Sequence, residues 1–240
     1  MRPFLHHSDR KKILAAVALL LCTILPCILL YGCGDANIPE ELLALRERNP
    51  ETAGFVNAYE AEHDKHHDID LSGEYPPGEI PLFLQWDLRW GYETYGSKMI
   101  ALTGCGPTCL SMVAVGLTGD LSNDPLSVAR FSAEQGYYHD GVGTAWALIS
   151  EGSSQFGLDA EELPLDEESI CDRLGRGQPI ICSVGPGDFT TEGHFIVLTK
   201  LNDDGRVSVN DPNSLQNSRQ SWDVERLIGQ IQNLWALSPA

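Results

Sequence analysis

The sequence predicts an α+β fold in which helices come first and an antiparallel sheet follows. Three observations carry this reading. After Cys105, the apolar residues Leu110, Val113, Ala114 and Leu117 recur at i, i+3, i+4 and i+7, the spacing of a buried helix face. Residues 179–184 form a short apolar run bounded by glycines, which reads as a buried strand. Residues 194–201 and 206–210 read as two further strands, joined by the hairpin signal Asn202, Asp203, Asp204, Gly205.

Arg10, Lys11 and Lys12 precede an almost uncharged stretch over 13–31 that only Thr23 and Pro26 interrupt. About twenty apolar residues cross a bilayer, so residues 1–33 read as a signal peptide or membrane anchor. The basic flank keeps the N-terminus in the cytoplasm and puts the remainder outside. Leu30, Tyr31, Gly32 and Cys33 loosely resemble a bacterial lipoprotein cleavage box, in which the cysteine is lipidated; Gly32 fits that pattern and Tyr31 is unusual in it. A lipidated Cys33 and an uncleaved helix both tether the domain to the extracellular face of the bacterial cytoplasmic membrane.

Residues 34–79 read as an acidic linker with one short helix near 40–48, stopped by Asn49 and Pro50. His63, Asp64, His66, His67 and Asp68 are metal-ligand types, but a charged, turn-rich linker is ordinarily solvated, and no metal site is assigned. The compact domain then runs over 80–240, an ordinary single-domain length. Its second helix is capped by Asn123, Asp124 and Pro125 and ends near Gln135. Residues 144–156 continue a helical pattern, and Asp166 caps a fourth helix over 167–174 that Gly175 and Gly177 end. A glycine-rich loop fills 185–193, an amphipathic helix 223–232, and an edge strand 234–237.

Composition excludes several function classes. Four of the 16 basic and one of the 34 acidic side chains fall in residues 1–33, so the exported part carries a net charge near −21. Nucleic acid and anionic lipid both need a basic surface, so neither is a partner of the domain. The N-terminal segment remains its membrane contact, and a monomer is expected. There is no Gly-rich phosphate loop and no pair of Cys-x-x-Cys motifs, so no cofactor and no structural zinc are expected. Four cysteines lie in the domain, Cys105, Cys109, Cys171 and Cys182. Cys105 and Cys109 stand one helical turn apart, an awkward geometry for a disulfide.

Cys105 is the candidate nucleophile. It sits between Gly104 and Gly106, ahead of Pro107, where a helix begins. Free amides and the positive end of the helix dipole favour a thiolate there. A reactive thiol needs a base, and His194 opens an apolar strand beside the glycine-rich loop. With a two-residue turn centred on Asp203-Asp204 or Asp204-Gly205, Asp211 falls opposite Ile196 or Leu198. Both share parity with His194, so carboxylate and imidazole project from one face. A three-residue turn would send Asp211 to the other face. Gln85, in Leu82-Phe83-Leu84-Gln85-Trp86-Asp87, supplies a side-chain amide that can stabilise an oxyanion together with the Cys105 N–H.

Gln85-Trp86-Asp87, Gly104-Cys105-Gly106-Pro107-Thr108, the run from Gly193 to Leu198, and Asn210-Asp211-Pro212 resemble the four motifs of bacterial double-glycine-type cysteine peptidases. The resemblance spans about residues 80 to 237. It implies a papain-like fold with Cys105 as nucleophile, His194 as base, Asp211 as its orienter and Gln85 in the oxyanion hole. It also implies a peptide or protein substrate. Two features depart from the bacteriocin-processing members: no ATP-binding transporter domain is present, and Gln85 lies twenty residues before the cysteine rather than a few. The chain is therefore similar to the stand-alone, exported branch. A cell-wall peptide amidase on the same scaffold and a non-catalytic peptide-binding protein are the alternatives.

Overall fold

The computed structural model describes residues 35, 37–75 and 78–240. The apolar segment, Cys33 and the tether read from them lie outside the described residues. Among the described residues, no helix is long and apolar enough to cross a membrane.

The stretch expected as a linker holds two helices, α1 (Glu40–Arg48) and α2 (Ala53–Glu62). Leu42, Leu45, Phe55 and Val56 are buried against Ala101, and Phe55 stacks on Tyr92 at 4.1 Å. These four apolar contacts are too widely spaced to read as one amphipathic stripe, yet together they dock the segment on the domain. A small hairpin, β1 (Thr94–Tyr95) and β2 (Lys98–Met99), leads into the short helix α3 (Ile100–Thr103) and the long helix α4 (Cys105–Thr118). Every residue of α4 from Gly106 to Gly116 is buried, and its two buried hydroxyls, on Thr108 and Ser111, donate to Gly104 O and Asn123 O. Gly119, with φ at 72°, ends it in the left-handed conformation that favours glycine.

Helix α5 (Pro125–Glu134) starts as expected: the Asp124 carboxylate accepts from the Leu126 and Ser127 amides, and proline takes the first turn. A second hairpin follows, β3 (Tyr138–His139) and β4 (Gly143–Thr144). The continuous helix expected over 144–156 is broken into α6 (Ala147–Ser150) and a 3-10 turn, Gly152–Phe156. Gly152, Ser153 and Ser154 are poor helix formers, and a Cβ at 152 would sit 3.2 Å from Leu148 and Tyr137.

The sheet has six strands: β5 (Leu158–Glu162), β6 (Ile180–Val184), β7 (His194–Leu201), β8 (Val207–Asn210), β9 (Ser221–Trp222) and β10 (Ile231–Pro239). Their order is β5-β10-β6-β7-β8-β9, and all pairings are antiparallel. The edge strand expected over 234–237 is instead central: β10 runs between β5 and β6 and buries 234–237 without alternation. That is how a strand covered on both faces reads. β5 has no such run, and the sequence gives it no signal.

Helix α4 and its neighbours cover one face of the sheet, with Ile181, Phe195, Val197, Trp235 and Leu237 in their cluster. The other face, carrying Cys182, Ile196, Leu198 and Val209, packs against α7 (Glu167–Gly175) and α9 (Val224–Ile228). A four-residue helix, α8 (Leu215–Ser218), lies between β8 and β9. The result is an α+β fold with helices packed on an antiparallel sheet.

Candidate active site

Cys105 opens α4, and the turn that presents it is built on two close approaches. A Cβ on Gly104 would lie 2.5 Å from the Cγ2 of Ile100, and one on Gly106 would lie 2.7 Å from the Cγ2 of Thr144. Glycine is needed at both positions for backbone packing, as well as for access to the sulfur. Thr144 is itself held by the buried Tyr95, whose hydroxyl lies 2.9 Å from its Oγ1 and 2.7 Å from Ser132 Oγ.

His194 is buried at the mouth of β7, and its Nε2 donates to Asp211 Oδ1 at 2.8 Å. The pair forms by a route other than the expected turn. Asn202 N–H bonds Arg206 O and Gly205 N–H bonds Asn202 O, closing a three-residue loop with Gly205 at φ 79°. That loop alone sets Leu201 opposite Val207 and Lys200 opposite Ser208, a register that would turn Asp211 away. The pairing then shifts by one between Leu198 and Lys200, leaving Thr199 as the extra residue of a bulge, so Leu198 faces Val209 and Val197 faces Asn210. Continued one step, this register brings Asp211 opposite Ile196 and back to the parity of His194.

Asp211 is fully buried, and three donors surround its carboxylate. Besides His194, the Asn213 amide donates to Oδ1 and Asn217 Nδ2 to Oδ2, each at 2.8 Å. With Nε2 committed to Asp211, the other ring nitrogen, Nδ1, is left for Cys105. Burial lowers the His194 pKa, but the charge and hydrogen bond of Asp211, with the Cys105 interaction, outweigh it and raise it to about 10. At Cys105 burial raises the thiol pKa, while the His194 hydrogen bond and charge and the Phe195 and Gly106 backbone bring it below its ordinary value. The two groups thus favour a thiolate–imidazolium pair.

Gln85 is buried between the two halves of the site. Its backbone N–H donates to Pro212 O and its Nε2 to Ala101 O, both at 2.8 Å, while its Oε1 has no hydrogen-bond partner. The amide therefore ties the segment after Asp211 to the turn before Cys105, and Nε2 keeps a second proton. Neighbouring Trp86 donates from Nε1 to Asn213 O at 3.1 Å.

Cys105 and His194 line a cleft of about 590 Å³. Tyr138, Val142, Thr144 and Trp146 line it, as do Glu192 and Gly193. Val142 and Trp146 are exposed and give the cleft an apolar surface. Sequence reasoning did not find Trp146 or Asn217. Neither carried a signal in the sequence, since the exposure of Trp146 and the break of the helix around it appear only in the structure.

The domain's other histidine, His139, and its other cysteines stand outside this pair. His139 is exposed on the β3–β4 hairpin. Cys109 is buried, and burial followed by the charges of Cys105, Asp211 and Cys182 pushes its pKa well up, which suits an inert core thiol. All four cysteines of the domain are free. In the histidine-rich stretch, His63 Nδ1 lies 2.7 Å from Tyr59 O, and His67 and His66 face Glu62 and Asp68 separately. Among the described residues no three side chains group as a metal site.

A comparison with protein families matches residues 78–238 to the Peptidase_C39 like family. Among solved structures, the peptidase domain of Streptococcus ComA, a bi-functional ABC transporter involved in a quorum sensing pathway, is 20% identical, with a TM-score of 0.44 over 57% of this chain and 93% of that one. A double glycine motif protease from an AMS/PCAT transporter, in complex with the leader peptide, is 14% identical, with a TM-score of 0.40 over 69% of this chain and 97% of that one. No curated protein matches.

Proposed function

We propose that this chain, which belongs to the Peptidase_C39 like family and is a cysteine peptidase, cleaves peptide bonds through Cys105, His194 and Asp211 with Gln85 at the oxyanion. The observation that carries this reading is the buried His194–Asp211 pair, 2.8 Å apart, set against a cysteine at the first turn of α4.

The Cys105 thiolate attacks the scissile carbonyl carbon, and the carbonyl π electrons move to oxygen. The oxyanion is met by the Cys105 N–H and the second proton of Gln85 Nε2. Collapse expels the amine, which takes the proton from His194 Nδ1 and leaves a thioester on Cys105. Neutral His194 then takes a proton from water, whose hydroxide opens the thioester and returns the thiolate with the imidazolium. Asp211 holds the ring and its charge throughout.

In this reading the domain works outside the cell, tethered to the cytoplasmic membrane by residues 1–33, through a lipidated Cys33 or an uncleaved helix. The basic flank and the apolar run over 13–31 support that placement. Purified full-length protein, incubated with a peptide library and separately with cell-wall fragments, tests the function. Peptide cleavage lost in Cys105→Ala is the expected result. Release from wall fragments alone would make the chain an amidase, and no cleavage of either would leave a peptide-binding protein.

A further inference from the structure

Residues 35–62 lie ahead of the family-matched region, which begins at residue 78, yet they reach the site from two sides. On one side, Asn49 Nδ2 donates to Asn213 O at 2.6 Å. Glu51 accepts from Ser214 Oγ at 2.5 Å and from the Gln216 amide at 3.2 Å. The Asn49 contact lands one step from the Asp211 carboxylate, and the Ser214 contact two steps. Asn213 N–H donates to Asp211 Oδ1, and Ser214 Oγ accepts from the amide of Asn217, whose Nδ2 donates to Asp211 Oδ2. On the other side, Leu42, Leu45, Phe55 and Val56 pack on Ala101 in the turn before Cys105, and Glu41 pairs with Lys98 at the cleft.

The acid loop needs such support. Its only regular structure is α8, at four residues far too short to hold itself. Within the family-matched region Gln85 and Trp86 grip it at Pro212 and Asn213 and Trp222 at Asn217 O, while Glu51 reaches in from outside that region to Ser214 and Gln216. We propose that α1 and α2 are a brace that sets Asp211 against His194, with Asn49 and Glu51 as positioning residues for the triad. The proposal rests on the triad reading above. The charged groups acting on the His194 ring are Asp211 from the end of β8 and Cys105 from α4, and Glu192 lines the same cleft; the brace acts through the first.

Full-length Asn49→Ser and Glu51→Gln test it. Serine keeps the cap that Asn49 Oδ1 provides to the Glu51 amide but cannot reach Asn213, so folding is spared. With KM little changed, Glu51→Gln should lower kcat about tenfold, the scale of a weakened charge-assisted bond, and Asn49→Ser about threefold to tenfold, the scale of one lost neutral bond. Each should also move the alkaline limb of the kcat/KM profile to lower pH, which a merely structural role would not do. Asp211→Asn is the control. If it shifts that limb while both brace variants keep the wild-type profile and kcat, the brace is overturned. If Asp211→Asn leaves the profile unmoved, the triad reading itself has failed and the brace falls with it.

Discussion

Replacing Asp211 with asparagine removes one charge from a fully buried site and almost no volume. Its three acceptor bonds, from His194, the Asn213 amide and Asn217, are each 2.8 Å long. An asparagine oxygen can keep the first two, but its amide then faces the amide of Asn217, and that side chain must turn over. What is lost is the charge on the His194 bond. Hydrogen bonds to charged groups are worth about 1.5–3 kcal/mol, so kcat/KM should fall about 10- to 100-fold. Burial acts to lower the His194 pKa, and Asp211 is the main reason it is raised to about 10. Without that charge the imidazolium loses its proton earlier, so the alkaline limb of the rate profile moves down. Stability follows the same sign. A raised histidine pKa contributes stability that is complete below about pH 6.5 and is lost as the pH rises towards about 10. Urea unfolding of wild type should show this decline, and the variant should not. A kcat/KM within about twofold of wild type, with an unmoved alkaline limb, would refute the reasoning.

Two further substitutions read other parts of the site. Gly106→Ala sets a methyl 2.7 Å from Thr144 and should destabilise the protein by about 1–3 kcal/mol in denaturant titration, slowing Cys105 labelling as the turn shifts. Gln85→Ala removes an oxyanion donor and should cut kcat by about a hundredfold or more while KM changes little, measured with one peptide substrate at saturation. An equal loss in Cys105 alkylation rate would instead make Gln85 a support of the turn.

The parts of the site legible in the sequence were those with local rules. A cysteine between two glycines before a proline marks a helix start, and period-two alternation puts His194 and Asp211 on one face. The turn was misread because Asn202 to Gly205 fits loops of two and three residues alike. Only strand pairing reveals the bulge at Thr199 that restores the parity. β5 and the central place of β10 are tertiary facts, since an apolar run of four looks the same at an edge or in the middle of a sheet. Helix α2 was hidden because its burial depends on Ala101 and Tyr92, far along the chain. Asn49 and Glu51 act more than 160 positions from the loop they hold, and no spacing rule reaches that far.

The central claim is that Cys105 is a thiolate activated by His194. The direct measurement is the rate of Cys105 alkylation against pH in the full-length protein, with Cys109, Cys171 and Cys182 followed as internal references by peptide mapping. Cys105 should label fast at a pH below the ordinary thiol range, and His194→Ala should return it to the slow rate of an unassisted thiol. A Cys105 rate that rises only through the ordinary thiol range, and is the same in His194→Ala, would contradict the account.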